Sequence, residues 1–561
     1  MDRFERESWE KTAKFRAMKN PMHRFGAGAL ALALTLAPFV ASAQVKPKIQ
    51  STVPSDTAIN LDYRWWHADI ELNRVLGISA QRAYDYLIGD KPRQEVVVAV
   101  IDGGVDVLHE DLAANIWVNS DEIPGNGIDD DANGYVDDVH GWSFISGPGG
   151  EVNWDNLEFV RALHKMEQEV AAGTRSAKDP EYKNLQTRMK NQTAEWTKRT
   201  ANAKVYYDAV MALKKFAGEG EVITPEVLEG YTPADKTEDA VKKYFLRKLN
   251  ASVPFDEAAA PILEDYYSAE GYVKYCLDPL FDGRSAVGDD YNDLTNRIYG
   301  DHRVIGPRAE HGTHVAGIIA AVRGNGVGMD GIADNAKIMV LRVVPKGDER
   351  DKDVANAIRY AVDNGAKVIN MSFGKSISDQ QEYVAEAVRY AAEDDVLLVH
   401  AAGNDSKNLD VSSDNYPTPI DPRDGSRYPH WIEVGASSFK APVAAEFSNY
   451  GATRVDLFAP GDDIYSTVPG SKYETNDGTS MAAPVVAGVA AVLRGQYPEL
   501  SAVQIRKLIM STALAADFTT TLPGKPKKKA TFKSLSVTGG IVNMYRAVNS
   551  MELRKAAPSK N

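Results

Sequence analysis

Three segments of this chain carry residues able to do chemistry. Ser480 lies in Gly478-Thr479-Ser480-Met481-Ala482-Ala483-Pro484, which runs into VVAGVAAVL. Small and apolar residues throughout predict a helix buried on every side, with the serine at its amino end. There the helix field and the free N–H groups favour developing negative charge, which suits a nucleophilic hydroxyl and equally suits an N-cap. His311 opens HGTHVAG, which continues as the apolar IIAAV, so a second buried helix starts at a histidine. The glutamate of a HExxH zinc site is absent, and His311 with His314 alone makes a poor metal site. An acid/base role, with a carboxylate holding the imidazole, is the chemistry to expect. Asp102 closes EVVVAVID and is followed by Gly103 and Gly104, so its carboxylate is expected at the end of a buried strand where the backbone can turn tightly.

Side chains so far apart in sequence must be brought together by a regular scaffold. Residues 95–102, 337–344, 367–372 and 396–401 are apolar and rich in Val, Ile and Leu, the pattern of parallel strands covered on both faces. Amphipathic helices lie between the later ones: Val354, Ile358, Ala361 and Val362 share one face, and a second helix runs from about Gln380 to Glu393. Alternating strand and helix predicts an α/β fold: a doubly wound, mostly parallel sheet with helices on both faces and its site at the carboxyl ends of the strands. Residues 151–284 depart from that pattern. From 151 to 280 there are 5 of the chain's 43 glycines and 40 charged residues, which favours solvated helices over turns. The spacings Leu157, Val160, Leu163, Met166 and Val205, Ala209, Leu213, Phe216 predict narrow apolar stripes within a mainly helical insertion. The run Lys525 to Lys529 (KPKKK) reads as a solvated loop.

The order Asp102, His311, Ser480, together with IDGGVD, HGTHVAG and GTSMAAP, resembles the subtilisin-like serine proteases, the subtilase family. VINMSFG (368–374), HAAGN (400–404), FSNYGA (447–452) and FAPG (458–461) agree with that family in its order. The resemblance implies a subtilisin-like fold and a serine endopeptidase. Ser480 would be its nucleophile, His311 its base and then its acid, and Asp102 the group that fixes the imidazole tautomer. It implies Asn404 as an oxyanion-hole donor beside the Ser480 N–H, and Ser372, Phe373 and Gly374 as the segment that pairs with an extended peptide. His400, inside an apolar strand, reads as a core histidine, and His314 as structural. The expected layout is a signal peptide at 1–43 with translation starting at Met1, Met18 or Met22, a short segment at 44–94 in which residues 65–87 look helical, a peptidase domain at 95–150 and 285–546, the insertion at 151–284, and a tail at 547–561.

Around Asn126 to Asp138, NGIDDDANGYVDD places Asp129, Asp131, Asn133 and the Tyr135 carbonyl at positions 1, 3, 5 and 7 of a calcium loop, with Gly134 at the sharp turn and Asp137 able to help complete it. His140 stands where an EF-hand has its bidentate glutamate, so the closing ligand is open. Structural calcium is the expected cofactor, with no organic one. Phe25 to Val40 is an apolar stretch with Lys19 and Arg24 before it and Ala41-Ser42-Ala43 after it, the pattern of a cleaved signal rather than a retained span, so the protein is expected to be secreted or periplasmic. Its one cysteine, Cys276, excludes an intrachain disulfide. A net charge of −14 argues against nucleic acid, and 43% hydrophobic residues argue against disorder, which leaves peptides or proteins as the expected partners. Two alternatives stay open: an exopeptidase of the same fold gated by the insertion, and a protease-like binding scaffold.

Overall fold

The computed structural model describes residues 61–556 except 90, 219, 250–252 and 413; the signal-peptide expectation lies outside the described residues. The apolar runs become strands. β1 (Val96–Asp102), β2 (Gly141–Ser143), β3 (Ala336–Arg342), β4 (Val368–Met371), β5 (Leu397–Ala401), β6 (Trp431–Ser437), β7 (Leu457–Pro460), β8 (Leu514–Ala515) and β9 (Gly540–Ile541) build one sheet in the order β8-β9-β7-β6-β5-β4-β1-β3-β2. Every pairing is parallel except β8 with β9. Chain order turns back at β1, which is flanked by β3 and β4, so Asp102 ends its strand beside Arg342 at the kind of switch point where α/β sheets place their sites.

Helices come in two groups. The insertion is built of α1 (Glu158–Ala171), α2 (Pro180–Ala217), α3 (Lys236–Lys248) and α4 (Phe255–Gly271), with a short helical turn at Pro225–Glu229 between α2 and α3. The start of α2 is set locally: Asp179 caps it by accepting from the Tyr182 N–H at 3.0 Å, and Pro180 occupies the first turn, where a missing N–H costs nothing. Val210, Leu213, Phe245 and Phe255 form a core of the insertion's own, while Phe159, Leu163 and Met166 pack with Leu185 and Cys276. The first expected stripe is buried throughout, but Val205 and Phe216 of the second are 47% exposed, while Ala209 and Leu213 between them are buried.

Around the sheet, α5 (Ala309–Ala320) and α8 (Thr479–Gln496) cover the face of Val98 and Val100, and α6 (Asp351–Asp363) and α7 (Gln381–Glu393) cover the face of Ala99 and Ile101. The structure refines two expectations and corrects a third, the loop at Lys525 to Lys529. Residues 65–87 form several short helical turns, with Trp65 and Trp66 buried. Lys525–Thr531 is a strand hairpinned to Thr519–Leu522, because the lysine side chains reach water from an edge strand as well as from a loop. The expected tail is helical from Met544 to Ala556, with Ala547 and Val548 docked in the main core.

The helix that carries His311 can approach Asp102 only because the next residue is glycine. A Cβ on Gly312 would lie 2.2 Å from the Gly104 carbonyl oxygen and 3.1 Å from the Asp102 Cβ. Gly312→Ala is therefore expected to destabilise by about 1–3 kcal/mol through overpacking, outweighing the roughly 1 kcal/mol that alanine adds to a helix, since a backbone oxygen cannot rotate away. Denaturant unfolding measures this, and a variant as stable as the parent would mean that the 103–104 turn yields instead.

Candidate active site

Asp102 is 2% exposed. One oxygen of its carboxylate accepts from the Gly103 N–H at 2.7 Å, and both lie 2.9 Å from Nδ1 of His311. An ionised carboxylate only accepts, so Nδ1 carries the proton and the neutral ring presents a lone pair at Nε2. Burial alone would lower the His311 pKa, but the charge of Asp102 and its hydrogen bond outweigh that and raise it above the ordinary histidine value. His314, on the same helix, is fully buried, and burial pushes it down to about 3 against a ring bond to the Glu474 carbonyl at 3.1 Å. It stays neutral at working pH, in keeping with a structural role.

Ser480 is the second residue of α8, which packs directly on α5. Its hydroxyl donates to the Ser372 carbonyl at 3.0 Å rather than to His311. In return the Ser372 hydroxyl donates to the Ser480 carbonyl at 2.9 Å. Pro484 explains the second bond. Four residues on from Ser480 it has no N–H to give, so the Ser480 carbonyl loses its helical donor and takes a hydroxyl from β4's end instead. Asn404, exposed two residues beyond Ala402, accepts at Oδ1 from the Thr479 N–H and hydroxyl, both at 2.9 Å. With its oxygen committed to the start of α8, its Nδ2 donors are the ones left for the cleft.

Phe373, Gly374, Asn404 and Ser480 line one cleft of about 390 Å³. Ser372 lies behind it, 3% exposed and bonded to Ser480. The Phe373 carbonyl is held at 2.8 Å by Nε2 of His400, whose Nδ1 faces the Glu433 carboxylate at 3.0–3.1 Å. The core histidine thus braces the cleft wall from behind. Sequence reasoning did not find Glu433, which Trp431 Nε1 and Asn415 Nδ2 also address at 2.9 and 3.0 Å. Nor did it find the insertion's share of the cleft: Leu157, Arg188, Gln192 and Tyr272. A buried charge cluster ties the two together. Lys375 Nζ lies 2.8 Å from Glu158 of α1 and 2.8 Å from Asp351, and Arg161 reaches Glu158 at 2.6 Å. Burial disfavours ionised Glu158, yet Lys375 and Arg161 hold it well below the usual carboxylate range.

In the acidic loop, carboxylate oxygens of Glu122, Asp129 and Asp131 lie within 4.8 Å of one another. Asn133 donates to Asp129 and Asp131 and accepts from the Tyr135 N–H at 2.7 Å, while the Tyr135 ring packs on Trp142. Asp137 is turned to another task. With φ at 56°, its oxygens accept from the N–H groups of Gly125, Asn126 and Gly127 at 2.7–3.1 Å. Glu122, upstream of the motif, stands in its place. An all-oxygen, three-carboxylate set fits a hard cation such as calcium.

The subtilase family model matches residues 93–539. The thermophilic serine proteinase of Bacillus sp. (strain AK1) is 41% identical over 204 residues, 36% of this chain and 46% of that protein. Subtilisin DY of Bacillus licheniformis is 37% identical over 204 residues, 36% of this chain and 70% of that protein. Proteases from Pseudoalteromonas arctica PAMC 21717 provide a solved structure at 22% identity and a TM-score of 0.43, covering 87% of this chain and 97% of that one. This chain therefore spans about half the length of several of the relatives it matches, and it belongs to the subtilase family of subtilisin-like serine proteases.

Proposed function

We propose that this chain is an exported serine endopeptidase acting through Asp102, His311 and Ser480. The observation that carries the reading is the pair of 2.9 Å contacts from His311 Nδ1 to a buried carboxylate, an arrangement that orients Nε2 as a base. Ser480 Oγ leaves the Ser372 carbonyl, gives its proton to Nε2 and bonds to the scissile carbonyl carbon. The oxygen that becomes negative accepts from Asn404 Nδ2 and from the Ser480 N–H, a first-turn group without an intrahelical acceptor. The imidazolium returns its proton to the leaving amine, and water, deprotonated by the same ring, releases the acyl group. Phe373 and Gly374 offer backbone to an extended substrate. Export rests on the signal-like pattern at 1–43; among the described residues no helix is long and apolar enough to cross a membrane. The four insertion residues in the cleft favour a second reading, in which the insertion restricts access and trims chain ends. Calcium, held by Glu122, Asp129 and Asp131 with Asn133 beside them, would stabilise the loop without entering the chemistry.

Ser480→Ala should abolish peptide hydrolysis, a loss on the order of 10⁴- to 10⁶-fold in kcat as in subtilisin itself, while unfolding at the same denaturant concentration; Asn404→Ala should lower kcat about 10²- to 10³-fold with KM little changed. Retention of a tenth of the activity by Ser480→Ala would refute the nucleophile.

Because His311 must be neutral to act, and its pKa is raised, kcat/KM should climb with pH through an inflection above the ordinary histidine value of 6.5. Asp102→Asn removes the cause of the rise, so the inflection should move downward as kcat falls. An inflection that stays where it was would detach the titration from this pair.

Chelator should lower the Tm of the parent protein and shift an Asp129→Ala, Asp131→Ala double variant less, since a cation bound only by the folded form stabilises by mass action. Equal shifts would place any stabilising cation elsewhere.

A further inference from the structure

Helix α2 of the insertion sends Arg188 and Gln192, one turn apart and so on one face, into the lining of the cleft that holds Ser480 and Asn404. The other cations of that lining are committed. Lys375 is locked between Glu158 and Asp351, and Lys407 lies 3.2 Å from Asp414 and 4.0 Å from Asp405. Asp348 accepts the Glu158 N–H at 2.8 Å. Arg188 differs. Its guanidinium stacks 4.2 Å over the Phe159 ring, and no carboxylate among the described residues lies within ion-pair distance of it. Beside it, Gln192 Oε1 is buried with no hydrogen-bond partner, an acceptor open to an N–H of whatever Arg188 binds.

The guanidinium carbon sits over the Phe159 ring and its N–H groups meet no carboxylate among the described residues, which leaves them able to take a carboxylate through two parallel bonds. The Gln192 oxygen has no partner, and a rotation about the soft terminal torsion would bring it to the cleft, where it would accept a peptide N–H. We propose that Arg188 and Gln192 form a substrate subsite, supplied by the insertion, that takes a carboxylate of the bound peptide. That carboxylate comes from an Asp or Glu side chain or from the peptide's own C-terminus. Elsewhere in the lining Lys407 lies beside Asp405 and Asp414, so Arg188 is the cation of that lining with no carboxylate partner among the described residues.

This proposal rests on the peptidase reading, so its test includes an arm that needs no turnover. On the full chain carrying Ser480→Ala, calorimetry is used with four peptides of one sequence: Glu or Gln at an internal position, each with a free or an amidated C-terminus. The carboxylate form should bind about ten- to a hundredfold tighter than its neutral counterpart, the range of a charged hydrogen-bonded pair. Sensitivity to Glu against Gln identifies a side chain as the source, and sensitivity to amidation identifies the chain end. Adding Arg188→Gln should erase the preference and leave the affinity for the neutral peptide unchanged. Equal affinities, no binding, or a preference that survives Arg188→Gln would overturn the subsite. In parallel, the Ser480 protein is assayed for cleavage of the same peptides. Selective binding without cleavage would sink the peptidase reading while leaving the subsite standing.

Discussion

A buried carboxylate is tolerable only when its oxygens are satisfied, and at Asp102 that requirement shapes the molecule around it. Its partners are the Gly103 N–H, which demands a tight turn directly after β1, and the His311 ring, which demands a helix start pressed against that turn. The approach is closed to any side chain at 312 and leaves no room at 104, where φ is 124° and a Cβ would meet the Ile305 carbonyl at 2.0 Å. Only a strand covered on both faces can hold the carboxylate out of water in this way. Thus β1 sits mid-sheet between β3 and β4, with apolar layers of helices above and below.

The same accounting of buried polar groups governs the other side of the cleft. Helix α8 is buried nearly along its length, so a carbonyl deprived of its helical donor cannot turn to water for one. Pro484 deprives the Ser480 carbonyl, and the Ser372 hydroxyl answers it while the Ser372 carbonyl receives the Ser480 hydroxyl. These two bonds fix the end of β4 to the start of α8. Asn404 performs the corresponding service from β5 through Thr479. Two loops at the carboxyl edge of the sheet, after β4 and after β5, are thereby referenced to one residue pair, Thr479 and Ser480.

Much of this was legible in the sequence, and what was illegible has a common cause. The strands, Asp102, the two helix starts and the insertion's helical character follow from local pattern: apolar runs, a glycine pair, small residues around a serine. Glu122, Glu433 and Arg188 do not, because each is placed by contacts outside the local pattern in which it stands. Glu122 precedes the motif it joins, and Asp137, which fits the motif's spacing, is diverted by its left-handed backbone to three nearby N–H groups. Lys525 to Lys529 misled for the opposite reason, since an exposed edge strand and a loop ask the same polarity of their residues.

Arg188 shows why charge in the insertion could not be sorted by inspection. A helix with lysines, arginines and glutamates on its surface presents the same sequence pattern whether those charges face solvent or a cleft. What separates them is which side of α2 packs on α4 and which side lines the cleft with Arg188 and Gln192. Cutting the Glu158–Lys375 pair would leave Lys375 to Asp351 and Glu158 to Arg161, each buried charge short of one partner. The insertion is therefore coupled to the segment beside Gly374 more tightly than a surface elaboration would be. Arg188 and Gln192 of α2 stand in the same cleft lining as Phe373, Asn404 and Ser480, so residues from both parts of the chain form that wall.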